Sequence, residues 1–241
     1  MDWTDETLEG VRVIRPEASA SLVVAFSGRG HAPAYEKTPT PYLARRLARA
    51  IGLDGTPIRW AKQVHGVTAA NPRDPIPSGA ASCVGECDAL VTDRSGEALV
   101  VQTADCVPIL LSAPGVIGAA HAGWRGTAKN VAGAAVAAFA RLGAHPAAIR
   151  AWLGPSIGPC CYEVGGDVAA QFAGDFVRAG CGGGYRLDLR AVNVAQIAAA
   201  GVPQGAIAVH PACTKCGGDG FASYRRDGTK AGRMIALIAR V

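Results

Sequence analysis

Unbroken apolar runs of strand length punctuate this chain: SLVVAF (21–26), ALVVQT (98–103), PILLSA (108–113), VIGAAH (116–121), IRAWLG (149–154), AIAVH (206–210) and MIALIA (234–239). Most lack the apolar–polar alternation of a strand with one wet face, so they predict sheets covered on both sides. Between them the period changes. PYLARRLARAIG (41–52) places Leu43, Leu47 and Ile51 four residues apart, opens on Pro41 and ends on Gly52, and predicts a helix. TAKNVAGAAVAAFARLG (127–143) predicts a second, with Thr127 as N-cap and Gly143 as stop. GDVAAQFAGDF (166–176) and RAVNVAQIAAAG (190–201) predict two more.

The runs between 98 and 121 are separated only by short breaks, at 106–108 and at Pro114-Gly115. No crossover helix fits there, which predicts antiparallel pairing. The longer helical gaps lie elsewhere, so the fold class is α+β, with mixed β-sheets covered by helices. NPRDPIPSGA (71–80) reads as an exposed loop. GCGGGY (180–185) reads as another, since it lacks the Lys-Ser/Thr ending of a phosphate-cradling loop.

Composition narrows the setting. With 241 residues, 49% of them apolar, the chain can bury a large core, and 1–241 is read as one domain. The formal net charge is +5, but Lys and Arg are scattered, which argues against a nucleic-acid partner and suits a small anionic ligand. No stretch of 18 apolar residues predicts a membrane span, and MDWTDETLEG has no apolar signal segment, so the expected compartment is the cytoplasm. There the eight cysteines (83, 87, 106, 160, 161, 181, 213 and 216) are expected to be thiols or ligands rather than disulfides.

Five histidines are few enough to weigh singly. His31 and His145 lie in turn-like or loop segments and read as ordinary structural histidines, and His210 precedes Pro211 after AIAV. His65 and His121 each close an apolar stretch and are followed by Gly or Ala-Gly, and Cys106 sits similarly in VVQTADCVPILL. Strand ends are rigid platforms, and a small neighbour lets a ligand approach. Two His and one Cys make a three-donor zinc site with an open fourth position. The same residues also permit a Cys106 nucleophile activated by His121, with Asp105 orienting the base, or merely a buried thiol. Cys213 and Cys216 form a C-x-x-C pair, but neither Cys83/Cys87 nor Cys160-Cys161 offers a second pair at zinc-knuckle spacing, so the pair reads as a loop with two thiols. Arg125, just ahead of the expected helix start at Thr127, and the Arg225, Arg226, Lys230 and Arg233 group are anion handles.

Six stretches occur in order: KQVHG (62–66), DALVTD (88–93), TADCVPILL (103–111), HAGWRGT (121–127), GPSIGPCCYEVG (154–165) and FASYRRDG (221–228). Together, over about residues 60–241, they resemble the laccase-domain or YfiH-like family, known both as multicopper polyphenol oxidases and as purine nucleoside phosphorylases. The resemblance implies an α+β fold related to the catalytic domain of cytotoxic necrotising factor. It implies one zinc, or else copper, held by His65, Cys106 and His121. It also implies phosphorolysis of adenosine, inosine and methylthioadenosine together with adenosine deamination, so purine nucleosides and phosphate are the expected partners. A peptidoglycan-editing role has been attached to bacterial members. Upstream, FSGRGHAP (26–33) keeps an arginine, Arg29, but lacks the family's Asn-Leu-Gly stretch.

On that reading Asp105 is the nearest carboxylate for proton transfer, Arg125 and Arg29 are candidates to hold phosphate, and Gln63 and Arg225 join Arg29 as substrate contacts. Three other readings compete. One is a thiol hydrolase or deamidase built on Cys106 and His121. Another is a copper oxidase, disfavoured because the only methionines are Met1 and Met234 and five histidines are few for several coppers. The last is a metal-stabilised binding protein without turnover.

Overall fold

A computed structural model describes residues 2–29, 40–180 and 183–241. His31 and Cys181 lie outside the described residues. The chain opens with β1 (Trp3–Leu8), β2 (Val11–Pro16), β3 (Leu22–Ser27), α1 (Thr40–Ala50), β4 (Ile58–Lys62), β5 (Ala69–Ala70), β6 (Ala81–Glu86) and β7 (Ala89–Thr92). It continues with β8 (Ala98–Thr103), β9 (Val107–Ala113), β10 (Val116–Ala122), α2 (Trp124–Ala128), α3 (Val131–Arg141) and β11 (Arg150–Leu153). The remainder is β12 (Glu163–Val164), α4 (Gly166–Ala169), β13 (Val177–Ala179), β14 (Tyr185–Leu187), α5 (Leu189–Ala199), β15 (Ile207–Val209), α6 (Tyr224–Asp227) and β16 (Met234–Arg240). Among the described residues no helix is long and apolar enough to cross a membrane.

The strands form a seven-stranded sheet, β1-β2-β3-β16-β8-β4-β6, a six-stranded sheet, β15-β11-β9-β10-β7-β5, and a small sheet, β12-β14-β13. Both large sheets are mixed: β4 pairs parallel with β6 and β8, and β11 with β15, among antiparallel neighbours. The α+β expectation holds.

The large sheets stack face to face. Ile14, Val24, Phe26, Leu99 and Val101 of one meet Leu90, Leu110, Ile117 and Trp152 of the other. Helix α1 covers the outer face of the first sheet through Leu43, Ala44 and Leu47, and α3 and α5 cover the second. This layering explains the unbroken apolar runs. On β10, Ile117 and Ala119 face the other sheet while Val116, Ala120 and Ala122 face the helices, so neither register meets water. Close approach is bought with glycine: a Cβ on Gly118 would lie 2.6 Å from the Phe139 ring of α3, and one on Gly154 would lie 2.2 Å from the ring of Phe26.

Three expectations need correction. The runs at 98–121 are not one antiparallel set. β9 and β10 form a hairpin, but β8 belongs to the other sheet, and the chain changes sheets across Ala104-Asp105-Cys106, where Asp105 takes φ 87. Residues 127–143 are not one helix either. Thr127 lies inside α2, its hydroxyl accepting from Asn193 Nδ2 at 3.1 Å, and the cap of α3 is Asn130, left-handed at φ 66, whose side chain accepts from the Gly133 amide at 3.0 Å. The helix expected at 166–176 is short as well, because Ala173 is extended and breaks it after α4. Helices α1 and α5 and the 71–80 loop fall where expected; Arg59, buried and paired with Glu97 at 3.1 Å, donates to Asp74 O and fastens that loop.

Candidate functional site

The site assembles where three chain segments leave the stacked sheets. His121 is the second-last residue of β10, Cys106 immediately precedes β9, and His65 lies in the turn after β4. His65 is thus not a strand-end residue as expected. It stands three residues beyond β4 at φ 59, a left-handed conformation costly for a residue with a side chain.

Asp88 offsets that cost. Its buried carboxylate accepts the amides of Val64 (3.1 Å), His65 (3.0 Å) and Gly66 (2.7 Å), and lies 2.8 Å from Nδ1 of His121. One side chain therefore folds the His65 turn and fixes the His121 ring. Burial would push Asp88 up, but the hydrogen bonds from His121 and the turn amides hold it below the ordinary carboxylate range.

With Nδ1 engaged by Asp88, Nε2 of His121 is left to ligate. The donor atoms of His65, Cys106 and His121 lie within 4.8 Å of one another. Cys106 Sγ is 4.0 Å from His65 Nε2, and the two imidazoles meet edge to face with centroids 4.8 Å apart. Gly123 closes the cradle, since a Cβ there would lie 2.6 Å from His65 Cδ2 and 3.1 Å from Cys106 Sγ. Burial alone would raise the Cys106 thiol, yet the charge and hydrogen bond of His121, with His65, bring it down to about 6. Burial likewise opposes charge on His121, but the Cys106 thiolate and Asp88 lift it to about 9. Each group thus favours the charged form of the other, a setting that suits a cation taking the place of the proton.

The triad opens into a cavity of about 480 Å³ lined also by Gln63, Asp105, Trp124, Arg125, Tyr162, Tyr224, Arg225 and Arg233. That volume suits a small organic ligand, for which ~300–1,000 Å³ is usual. Arg125 stacks on Trp124 at 4.3 Å and faces this space, although it lies within the first turn of α2 rather than ahead of a helix at Thr127. Arg225 lies over Tyr162 at 5.1 Å and donates to Glu163 O at 2.6 Å.

Gln63 and Asp105 line the cavity, but their polar atoms are engaged. Gln63 donates to Gln102 O and accepts from Gln102 N, both at 2.8 Å, docking the His65 turn onto β8. Asp105 accepts the Thr214 hydroxyl at 2.5 Å and the Arg225 amide at 2.7 Å. Arg29 is not among the lining residues; it pairs with Asp227 at 3.5 Å. Arg226 is likewise tied, to Asp227 and to backbone carbonyls. The Nδ1 of His145 and that of His210 each accept a backbone amide two residues on, a local structural role expected for His145.

Sequence reasoning gave Asp88, Gly123 and Tyr162 no part. Only Asp88 carried a usable signal, a carboxylate placed directly before an apolar strand. The reading of Cys213 and Cys216 as an unpartnered thiol pair is overturned: their sulfurs and those of Cys160 and Cys161 all lie within 4.8 Å of one another.

Comparison with known proteins accords with this arrangement. Residues 43–241 match the family model described as multi-copper polyphenol oxidoreductase laccase. The chain is similar to the purine nucleoside phosphorylase ORF3 of Streptomyces griseus, 43% identical over 200 residues, 80% of this chain and 78% of the relative. It is also similar to the adenosine deaminase RL5 of an unknown prokaryotic organism, 43% identical over 162 residues, 64% of this chain and 62% of the relative. The crystal structure of Bacillus licheniformis hypothetical protein YfiH superposes with a TM-score of 0.85 at 29% identity, over 95% of this chain and 96% of that one.

Proposed function

This chain belongs to the multi-copper polyphenol oxidoreductase laccase family, and from that premise we propose that it is a zinc-dependent purine nucleoside enzyme of the cytoplasm. It would transfer the ribosyl group of adenosine, inosine or methylthioadenosine to phosphate and deaminate adenosine. The observation that carries the reading is the His65–Cys106–His121 triad, backed by Asp88 and opening into a cavity with aromatic and cationic walls. Relatives named for phosphorolysis and for adenosine deamination support the same substrate class.

The donor set fits zinc: one acidified thiolate, two imidazoles, and a carboxylate fixing the tautomer of one of them. Bound there, zinc would supply Lewis-acid chemistry. A type-1 copper centre wants a weak axial ligand such as Met, and Met234 is buried in β16 rather than lining the cavity.

The protein's own groups divide the remaining work. Trp124, Tyr162 and Tyr224 give flat walls for a purine. Arg125, held over Trp124, neutralises phosphate as it attacks C1′ and the bond from C1′ to the base nitrogen breaks. Asp105, with both oxygens engaged, positions the Arg225 turn instead of shuttling protons.

The test is zinc analysis together with turnover of inosine and adenosine, with and without phosphate, on wild type and Cys106→Ala. The variant is expected to lose one zinc per chain and at least about 10³-fold in kcat/KM, roughly 4 kcal/mol of transition-state stabilisation. Unchanged zinc and turnover would overturn the reading.

A second reading rests on one observation, the Cys106 thiol placed beside the imidazoles of His65 and His121. A thiol hydrolase would keep its activity in chelator and lose it to alkylation at Cys106. Loss in chelator and recovery with zinc favour the first reading.

A further inference from the structure

We propose that Cys160, Cys161, Cys213 and Cys216 form a second, four-thiolate metal site that takes a zinc ion and braces one wall of the cavity. The proposal stands independently of the reading given to the triad.

Geometry comes first. Four zinc–sulfur bonds of ~2.3 Å place tetrahedral sulfurs about 3.8 Å apart. Here all four sulfurs lie within 4.8 Å of one another, and Cys160 and Cys216 are already 3.6 Å apart. Small side-chain adjustments close that gap. The loops are held in register, since Thr214 N donates to Ser156 O at 3.0 Å and residues 156 and 213 form a β-bridge.

The backbone around Cys213 has the form of a metal knuckle. Its sulfur receives the Gly158 amide at 3.2 Å. Amides aimed at a sulfur stabilise a thiolate. Gly217 N donates to Cys213 O at 2.7 Å, and a Cβ on Gly217 would lie 2.5 Å from that carbonyl, so this tight C-x-x-C-Gly turn requires its glycine.

Charge supplies an independent argument. Arg190 is only 8% exposed, yet every hydrogen bond it makes goes to a neutral oxygen: Ser156 Oγ and the carbonyls of Ser156, His210, Pro211 and Ala212. A buried cation without a directly bonded anion is costly. A Cβ on Gly158 would lie 3.3 Å from Cys160 Sγ and 3.4 Å from Arg190 Nη2, so the guanidinium abuts the thiol cluster. One divalent ion with four thiolates carries a charge of −2, which would join the nearby Asp188 carboxylate in balancing Arg190.

The position gives such an ion a purpose. Tyr162, a cavity wall, follows Cys161, and Thr214, which donates to Asp105, follows Cys213. Joining the two loops fixes both. None of the four cysteines lines the cavity, and four protein sulfurs would fill a tetrahedral shell although Cys160 and Cys216 are exposed, so the site is structural rather than catalytic.

Two measurements test this, and neither reads turnover, so a failed triad reading leaves them unaffected. First, Co²⁺ is added to the metal-free Cys106→Ala chain, in which the first site has no thiol. One equivalent giving a thiolate-to-cobalt charge-transfer band, lost when Cys213→Ser and Cys216→Ser are added, is expected; no band overturns the proposal. Second, wild-type protein prepared without oxygen is alkylated with and without zinc and mapped by mass spectrometry, which needs no variant to fold. Zinc should protect all four cysteines at least tenfold. Equal labelling in both samples, or a Cys160–Cys216 disulfide in place of free thiols, overturns it.

Discussion

Among the described residues stand two clusters of metal-type donors, and they are built in opposite ways. His65, Cys106 and His121 come from three segments of two stacked sheets, with a carboxylate behind them and a cavity of about 480 Å³ in front. The four cysteines come from two loops, with backbone amides behind them and no part in that cavity. Mixed nitrogen and sulfur donors with one side open suit chemistry, whereas an all-sulfur set without an open side suits scaffolding. The contrast extends to how each thiolate is stabilised. Cys106 depends on two imidazoles, themselves set by Asp88, and Cys213 receives the Gly158 amide of a neighbouring loop.

The largest effect expected on this contrast is at Gly123. In Gly123→Ala the new methyl meets His65 at 2.6 Å and Cys106 at 3.1 Å, with no contact to the four-cysteine cluster. A displacement of about 1 Å in a catalytic group can cost roughly 10²-fold. Turnover and triad zinc should fall together by at least that factor while four-cysteine zinc is retained; measuring metal per chain alongside kcat/KM checks this. Parallel loss from both sites would show that the clusters are not separately built.

Asp88→Asn should act next. It keeps the size of the side chain but removes the charge facing His121 and the carboxylate that gathers three amides. Loss of such an outer partner typically weakens metal binding about 10–100-fold. Chelator competition reads the change, and an unaltered affinity would remove Asp88 from the account of the site.

How much of this was legible in the chain depends on how local each cause is. The strands at 98–103, 107–113, 116–122 and 234–240 and the helix at 40–50 announce themselves, because burial on two faces or on one stripe is written into consecutive residues. His65, Cys106 and His121 were readable as candidates because each adjoins an apolar stretch. The crossing between sheets at 104–106 was not, since a strand buried on both faces reads the same in either sheet. Nor was the break before α3, which depends on a left-handed Asn130. Asp88 acts on residues 22–33 positions away, and Cys160 and Cys216 are 56 apart, so only the folded chain joins them.

The smallest of the effects is also the most direct measure of the contrast, because it reads the thiols themselves. In the metal-free chain Cys106 is lowered to about 6, whereas burial and neighbouring thiols raise Cys160, and raise Cys161 to about 12. A lowered value keeps the thiolate at lower pH, so alkylation of Cys106 should be near its plateau at pH 7 and fall through pH 6. Cys160 and Cys161 should react appreciably only in alkali. A more acidic thiolate is a weaker nucleophile, with a Brønsted slope of ~0.4–0.5, so the advantage over Cys161 at pH 7 shrinks to about 10²-fold. Rates at each cysteine, resolved by mass spectrometry between pH 5 and 10, decide the matter. His121→Gln should move the Cys106 profile upward and leave those of Cys160 and Cys161 in place, because His121 lowers Cys106 and appears nowhere among the groups acting on the other two. A Cys106 profile centred near the ordinary thiol value of ~8.5 would mean that the imidazoles do not hold its charge. The triad would then differ from the four-cysteine cluster in composition alone.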